Sequence, residues 1–298
     1  MVKSRYVLVS PARNEETYLA ETIESVLAQS VRPIKWIIVS DGSTDRTEEI
    51  AASYCGKNDF MELVTAQASQ TRNFGSKVNA FQAGYKRLAG LDYDFIGNLD
   101  ADVTLPKNYY ESILQEFGKN SRLGLAGGII VEAEKGIPVP YVYASWSVAG
   151  AVQLFRRECF EKMGGYEPIV TGGIDAIAEV KVRMHGWEVR CFPAYEVLHH
   201  KHTGTKEIGI LRARFRQGIM GHSHGNRLLF EMAKAAYRLK EKPYVIGSLL
   251  RLTGYTWASL KRNPYLVSPE VRRYLRWEQL NRLHLDWLIP WSPNDKSE

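Results

Sequence analysis

Cysteine is scarce in this sequence. Cys55, Cys159 and Cys191 stand far apart in a chain of 298 residues, and an odd, scattered set supplies neither a disulfide framework nor a thiolate metal cluster. A reducing cytoplasm is the expected setting. The start, MVKSRYVLVSPARNE, contains one short apolar run, YVLV, too short for the apolar segment of an export signal. Long hydrophobic runs are lacking too. The richest stretch, PYVIGSLLRLTGYTWASLK at 243–261, is interrupted by Arg251 and diluted by Ser, Thr and Gly, so it falls short of the ~20 apolar residues a membrane span needs. Neither GxGxxG nor GxxxxGK[ST] follows the first apolar run, which disfavours dehydrogenases and P-loop enzymes. No nucleic-acid-binding module is recognisable, and no nucleic-acid partner is expected.

Charge is unevenly placed. Residues 201–298 hold 18 Lys+Arg against 8 Asp+Glu, whereas residues 1–200 hold 21 against 25. A basic tail on an acidic body points either to an anionic surface such as lipid headgroups or to a solvated helical face. If lipid is the partner, the expected location is the inner face of the cell membrane. Lys242, Arg251, Lys261 and Arg262 with Tyr244, Tyr255, Trp257 and Tyr265 would suit an interfacial helix, and a helix packed in the core is the competing reading.

The hydrophobic content of 45% is ample for a core. YVLVS (6–10), KWIIVS (35–40), MELVTA (61–66) and DFIGNL (94–99) read as strands, and GLAGGIIV (124–131), EVRCF (188–192) and EVLHH (196–200) as further ones. Leu19, Ile23, Val26 and Leu27 recur at helical spacing, as do Phe74, Val78, Phe81, Tyr85 and Leu88. Asp45 with Glu48 reads as a capping box, and FRRECFEKMGGY as helical. Strands alternating with helices imply an α/β, doubly wound, mostly parallel sheet, whose ligands gather outside the carboxyl ends of the strands. From about residue 206 the pattern becomes helical, giving an expected domain of 1–205 and a basic helical region of 206–298.

Polar clusters sit at those strand ends: SPARNEE, SDGSTD and DADVT. The last matches the DxDx[TV] of an aspartate-nucleophile phosphatase, but that chemistry normally opens its domain, and here three strands come first. In the other reading, aspartates at a strand end hold Mg²⁺ or Mn²⁺, which share their remaining positions with a diphosphate. Asp41 then offers a carboxylate to the imino group of a base.

The ordered set SPARNEE, IIVSDGSTD, RNFGSKVNAFQAG, NLDADVTLP, FRRECFEKMGGY, GGIDAIAEVKVRMHGW and EVLHH resembles glycosyltransferase family 2, over roughly residues 4–203. The resemblance implies a GT-A fold and an inverting enzyme that takes a nucleoside-diphosphate sugar, with UDP-sugars favoured, and a divalent metal, Mn²⁺ or Mg²⁺. The acceptor would be a saccharide or lipid-linked hydroxyl, in polysaccharide or glycolipid synthesis. Pro11, Ala12, Arg13 and Glu15 would border the nucleoside, with Asn14 stabilising the turn, and Asp41 would recognise the base. Ser40 stands where many members have another aspartate. Arg72 and Lys77 lie where members place a cation. Asp100 would face the ribose or a metal-bound water, Asp102 would ligate the metal, and His199 would approach it, with His200 and His202 as substitutes. Asp175 would be the general base; Ile174 replaces a second acid there, and Glu179 reads as an ion-pair partner of Arg183. Trp146 is either a packed tryptophan or a platform for an acceptor sugar. His222 and His224 in GHSHG lack a third ligand and read as hydrogen-bonding residues. A sugar-phosphate nucleotidyltransferase would want a glycine-rich loop where SPARNEE stands, and a non-catalytic nucleotide-sugar binder would not need all four of Asp41, Asp100, Asp102 and Asp175.

Overall fold

Successive side chains of a strand point to opposite faces, so an apolar run without polar alternation must be covered on both sides. β1 (Tyr6–Ala12), β2 (Lys35–Asp41) and β4 (Phe95–Asn98) obey this in the computed structural model, which describes residues 4–66, 74–134, 137–140, 144–201 and 209–285, whereas β3 (Met61–Ala66), at the edge of the sheet, buries only Met61. Tyr6, Leu8, Trp36 and Ile38 join one core with Leu19 and Ile23 of α1 (Leu19–Leu27), Ala51 of α2 (Thr47–Cys55) and Ile113 and Phe117 of α4 (Tyr109–Lys119). Val7, Val9, Ile37 and Val39 join the other, with Val78 and Phe81 of α3 (Phe74–Lys86), Phe160 of α5 (Arg157–Lys162) and Val182 of α6 (Ile174–Met184). Each fully buried Leu, Ile or Val contributes about 1.5–3 kcal/mol, so a one-residue slip in register would be strongly opposed.

The sheet runs β3-β2-β1-β4-β8-β6-β9-β5. Its second half comprises β5 (Val103–Thr104), β6 (Leu123–Glu134), β8 (Leu154–Arg156) and β9 (Glu188–His199), with β7 (Ile137–Pro140) paired to β6. β1, β2, β3, β4, β6 and β9 share one direction, and β5, β7 and β8 oppose it. The mostly parallel, doubly wound sheet expected from the sequence is therefore present.

Local expectations differ from the structure in three places. The runs 188–192 and 196–200 are one strand: β9 pairs Phe192 with Gly128 and Glu196 with Ile129, and the intervening Pro193–Tyr195 bulges out. Pro193 has no N–H to give to a ladder. FRRECFEKMGGY is not helical throughout, because Leu154–Arg156 forms β8 between β4 and β6 before α5 begins. The capping box does not form either. Asp45 Oδ1 accepts from the Thr47 N–H at 3.0 Å, while Glu48 Oε1 turns to the Ser40 hydroxyl at 2.7 Å.

The chain divides into two units, Met1–Val170 with Ile174–Lys201, and Thr171–Gly173 with His202–Glu298. The second is helical: α7 (Ile210–Ser223), α8 (Leu228–Tyr237), α9 (Tyr244–Leu260) and α10 (Pro269–Arg282). α10 starts where Ser268 accepts from the Val271 N–H at 3.2 Å, with Pro269 in the first turn. α7 and α9 touch backbone to backbone. A Cβ added at Gly218 would lie 1.9 Å from the Arg251 carbonyl oxygen, and one at Gly254 2.1 Å from that of Phe215, so only glycine permits the approach. Behind this contact Glu231, fully buried, accepts from Arg251 Nε at 2.7 Å. Arg251 and Tyr255 are therefore interior residues and not interfacial ones. No helix among the described residues is long and apolar enough to cross a membrane.

Candidate active site

Parallel strands deliver their carboxyl ends to one edge of the sheet, and the turns after β1 and β2 lock together there. Asn14 adopts a left-handed conformation (φ 55°) and its Oδ1 accepts from the Thr44 N–H at 2.8 Å; Glu15 N–H donates to Thr47 Oγ1 at 2.7 Å, and Glu16 N–H to Asp45 Oδ2 at 3.1 Å. Asn14 thus stabilises the turn. The lock holds Arg13 Nη1 3.6 Å from Asp41 Oδ2.

α3 brings Lys77 to the end of β4, with Nζ 2.5 Å from Asp100 Oδ1. Burial works against the Lys77 charge, but Asp100, with Asp175 and Asp102 beyond it, raises its pKa above the ordinary value. Asn98, buried at the end of β4, donates from Nδ2 to Asp100 Oδ1 at 3.3 Å and to the Gly150 carbonyl. Gly150 opens a 3₁₀ turn (Gly150–Val152), and Asp175 in the first turn of α6 lies against it. A Cβ on Gly150 would stand 3.1 Å from Asp175 Cβ and 3.2 Å from Oδ2.

The second aspartate meets its partner through the sheet. β5 pairs antiparallel with β9, placing Val103 opposite His199, and His199 Nε2 comes 3.4 Å from Asp102 Oδ1. On its other side β9 pairs with β6, placing Glu132 opposite His199, with Nδ1 3.8 Å from Glu132 Oε1. Burial disfavours both charges of the Asp102–His199 pair. Their mutual attraction nevertheless holds Asp102 below and His199 above the usual values. His200 turns away, its Nε2 2.8 Å from Thr104 Oγ1 and its ring stacked on Tyr18. Lys201 reaches Glu15, whose carboxyl burial pushes up to about 6.

Pro11, Ala12, Arg13, Glu15, Asp41, Lys77, Asp100 and Asp102 line one cleft, together with Ser76, Ala80 and Ala101. Asp100, Asp102 and His199 can each offer a ligand atom within 4.8 Å of the others. The two carboxylates suit Mn²⁺ or Mg²⁺ in their donor chemistry, the imidazole suits Mn²⁺ better than Mg²⁺, and His199 Nδ1, buried without a hydrogen bond, has a carboxylate near it as metal-binding histidines usually do. Arg72 and His202 lie outside the described residues.

Other sequence expectations fall elsewhere. Glu179 does pair with Arg183, at 3.7 Å, but it is a buried acid that accepts from the Val148 N–H at 2.7 Å and from Ser147 Oγ at 3.1 Å. Burial pushes its carboxyl up to about 8. Trp146 is 48% exposed and is not a packed core residue. His222 and His224 hydrogen-bond to the carbonyls of Asn263 and Gly172, at 3.0 and 2.9 Å. Asn98 opens the motif NLDADVTLP with no role assigned to it there, and Glu132 and Lys201 stand in no motif of the sequence. Only the place of Asn98, two residues before Asp100, could have singled any of them out.

The model of the family described as "Glycosyl transferase family 2" matches residues 7–171, ending before Asp175 and His199. Poly-beta-1,6-N-acetyl-D-glucosamine synthase of Staphylococcus epidermidis is 24% identical over 200 residues, 60% of this chain and 46% of that protein. The enzyme of the same name from Staphylococcus aureus (strain COL) is 30% identical over 115 residues, covering 39% and 26%. The chain thus spans less than half the length of these curated relatives. Among solved structures, the mannosyltransferase PcManGT from Pyrobaculum calidifontis, in complex with GDP-Man and Mn²⁺, is similar with a TM-score of 0.57 at 13% identity, covering 96% of this chain and 85% of that one. S. aureus TarS 1–349 in complex with UDP-GlcNAc gives 0.54 at 13% identity, covering 93% and 80%. With the family model matching more than half its length and its sheet folded as in these GT-A enzymes, the chain belongs to glycosyltransferase family 2 and is a glycosyltransferase.

Proposed function

We propose that this enzyme transfers a sugar, with inversion, from a nucleoside-diphosphate sugar to the hydroxyl of a saccharide or lipid-linked acceptor. The observation that carries this reading is the convergence of Asp41, Lys77, Asp100 and Asp102 on one cleft, with Asn98 tying Asp100 to the Gly150 turn that Asp175 lies against. Asp41 and Arg13 receive the base, Pro11, Ala12 and Glu15 border the nucleoside, and Asp100 faces the ribose. Asp102 and His199, with Asp100 beside them, would hold a divalent cation, which would supply positive charge to offset the departing diphosphate. Lys77 moves from Asp100 to the diphosphate when the donor binds. The similar structures carry GDP-Man and UDP-GlcNAc, which supports the donor class, and a UDP-sugar is favoured. Exposed Trp146, whose carbonyl accepts from Arg183 Nη1 at 3.2 Å, offers a stacking face for an acceptor sugar.

Asp175 takes the proton of the acceptor hydroxyl as the new bond to the anomeric carbon forms. Asp175→Asn removes the base with little change in volume, so transfer should fall by roughly 10²–10⁴-fold while affinity for UDP in the presence of Mn²⁺ holds. An equal loss of both would assign Asp175 a structural role and overturn the reading.

A further inference from the structure

α9 is built inside out. Its buried face carries Gly247, Ser248, Arg251, Gly254, Tyr255 and Ala258, whereas Val245, Ile246, Leu249, Trp257 and Leu260 are 52–82% exposed. At 100° per residue these five lie on one side, and no charged residue of α9 is exposed. The same side carries Thr253 and Thr256, each of whose hydroxyls donates to its own helix, to Leu250 O at 2.9 Å and Leu252 O at 3.0 Å. They therefore satisfy their polar groups without water. α8 repeats the pattern, with Leu228, Leu229 and Met232 about half exposed. An apolar face on two helices of one unit exceeds what scattered surface residues explain.

The border of this face is basic. Lys240, Lys242, Lys261 and Arg262 are exposed, and Lys261 Nζ lies 5.0 Å from the centre of the Trp257 ring. The acid beside them, Glu241, is within 3.3 Å of Arg214 and 3.5 Å of Arg238. Two copies of the chain meeting through this face would set one basic border against another. A layer of anionic headgroups over acyl chains complements both the border and the face, and α9, 17 residues long with a buried arginine, is suited to lie in that interface and not to cross it.

We propose that the exposed face of α9 docks on an anionic lipid bilayer, with Leu249, Trp257 and Leu260 at the boundary of headgroups and acyl chains and the surrounding lysines and arginine at the phosphates. The inference does not depend on the glycosyl-transfer reading. It is tested by floating the full chain with phosphatidylcholine vesicles, with and without phosphatidylglycerol. The native chain floats with the anionic vesicles, and Leu249→Glu or Leu260→Glu lowers its partitioning roughly tenfold or more. Lys261→Gln with Arg262→Gln lowers partitioning by roughly tenfold on anionic vesicles only. Leu260 ends its helix at 82% exposure, so its variant keeps the test open should Leu249→Glu fail to fold. UDP-sugar hydrolysis in vesicle-free solution is unchanged in these variants, which separates a failure here from a failure of the catalytic reading. Absence of flotation, equal flotation of native and Leu260→Glu chains, or a dimer that Leu260→Glu dissociates would each overturn the proposal.

Discussion

His199 stands directly opposite Glu132 in the β6–β9 ladder, with Nδ1 3.8 Å from Glu132 Oε1 and Nε2 3.4 Å from Asp102 Oδ1. One imidazole thus faces a carboxylate on each side. In a metal site the outer carboxylate fixes the ring and makes it a better ligand.

Glu132→Gln should therefore weaken Mn²⁺ binding by roughly 10–100-fold while leaving the fold intact. Calorimetric titration of Mn²⁺ into the two proteins checks this, and equal affinities would remove Glu132 from the site.

Gly150→Ala introduces a methyl group 3.1–3.3 Å from Asp175 side-chain atoms. With Asp175 as the proposed base, displacing its carboxylate by a fraction of an ångström is expected to reduce kcat by ~10–100-fold with nucleotide affinity nearly unchanged. Steady-state rates measured beside a UDP titration separate the two effects.

Glu179 makes stability depend on pH. Its carboxyl ionises at about 8 in the folded protein against an ordinary 4.5, chiefly through burial. Between those values the folded state holds a proton that the unfolded chain has lost. The associated stability is complete below the unfolded value and is lost as pH rises through the folded one. Glu179→Gln keeps an acceptor for the Val148 N–H and cannot ionise. Its melting temperature should match the native chain at about pH 4 and exceed it at about pH 9, by on the order of a few kcal/mol in free energy. Parallel melting curves over pH would expose an ionised Glu179 instead.

Arg251→Met leaves Glu231 buried without its closest cationic partner, and should destabilise the helical unit by roughly 3–5 kcal/mol. Leu249→Ala, on the exposed face of the same helix, should cost within about 0.5 kcal/mol. Urea unfolding of the two variants reads the difference directly, and a reversed order would mean that α9 is turned the other way.

Much of the cleft is legible in the order of residues alone. SPARNEE, SDGSTD and DADVT each end an apolar run, and parallel strands bring such ends together, so Arg13, Asp41 and Asp100 share a cleft. Arg251 and Tyr255, by contrast, lie on the side of α9 opposite to the one an interfacial helix would give them. Periodicity marks two faces of a helix without saying which turns inward, and here Gly218 and Gly254 let α7 and α9 backbones touch, drawing in the small residues.

By itself the sequence determined the strand-and-helix alternation, the doubly covered sheet and the acids at its edge, because each follows from local spacing of apolar and polar residues. Only the tertiary structure decided that the two-residue strand Val103–Thr104 pairs with β9, bringing Asp102 to His199 and not to His200, that Glu132 backs the imidazole, and that Asn98 ties Asp100 to the turn beside Asp175. Most of these contacts join residues far apart along the chain, as Asn98 and Gly150 are at 52 positions, and no local pattern encodes them. Register sets them, and register is fixed by how the whole sheet closes on its two cores.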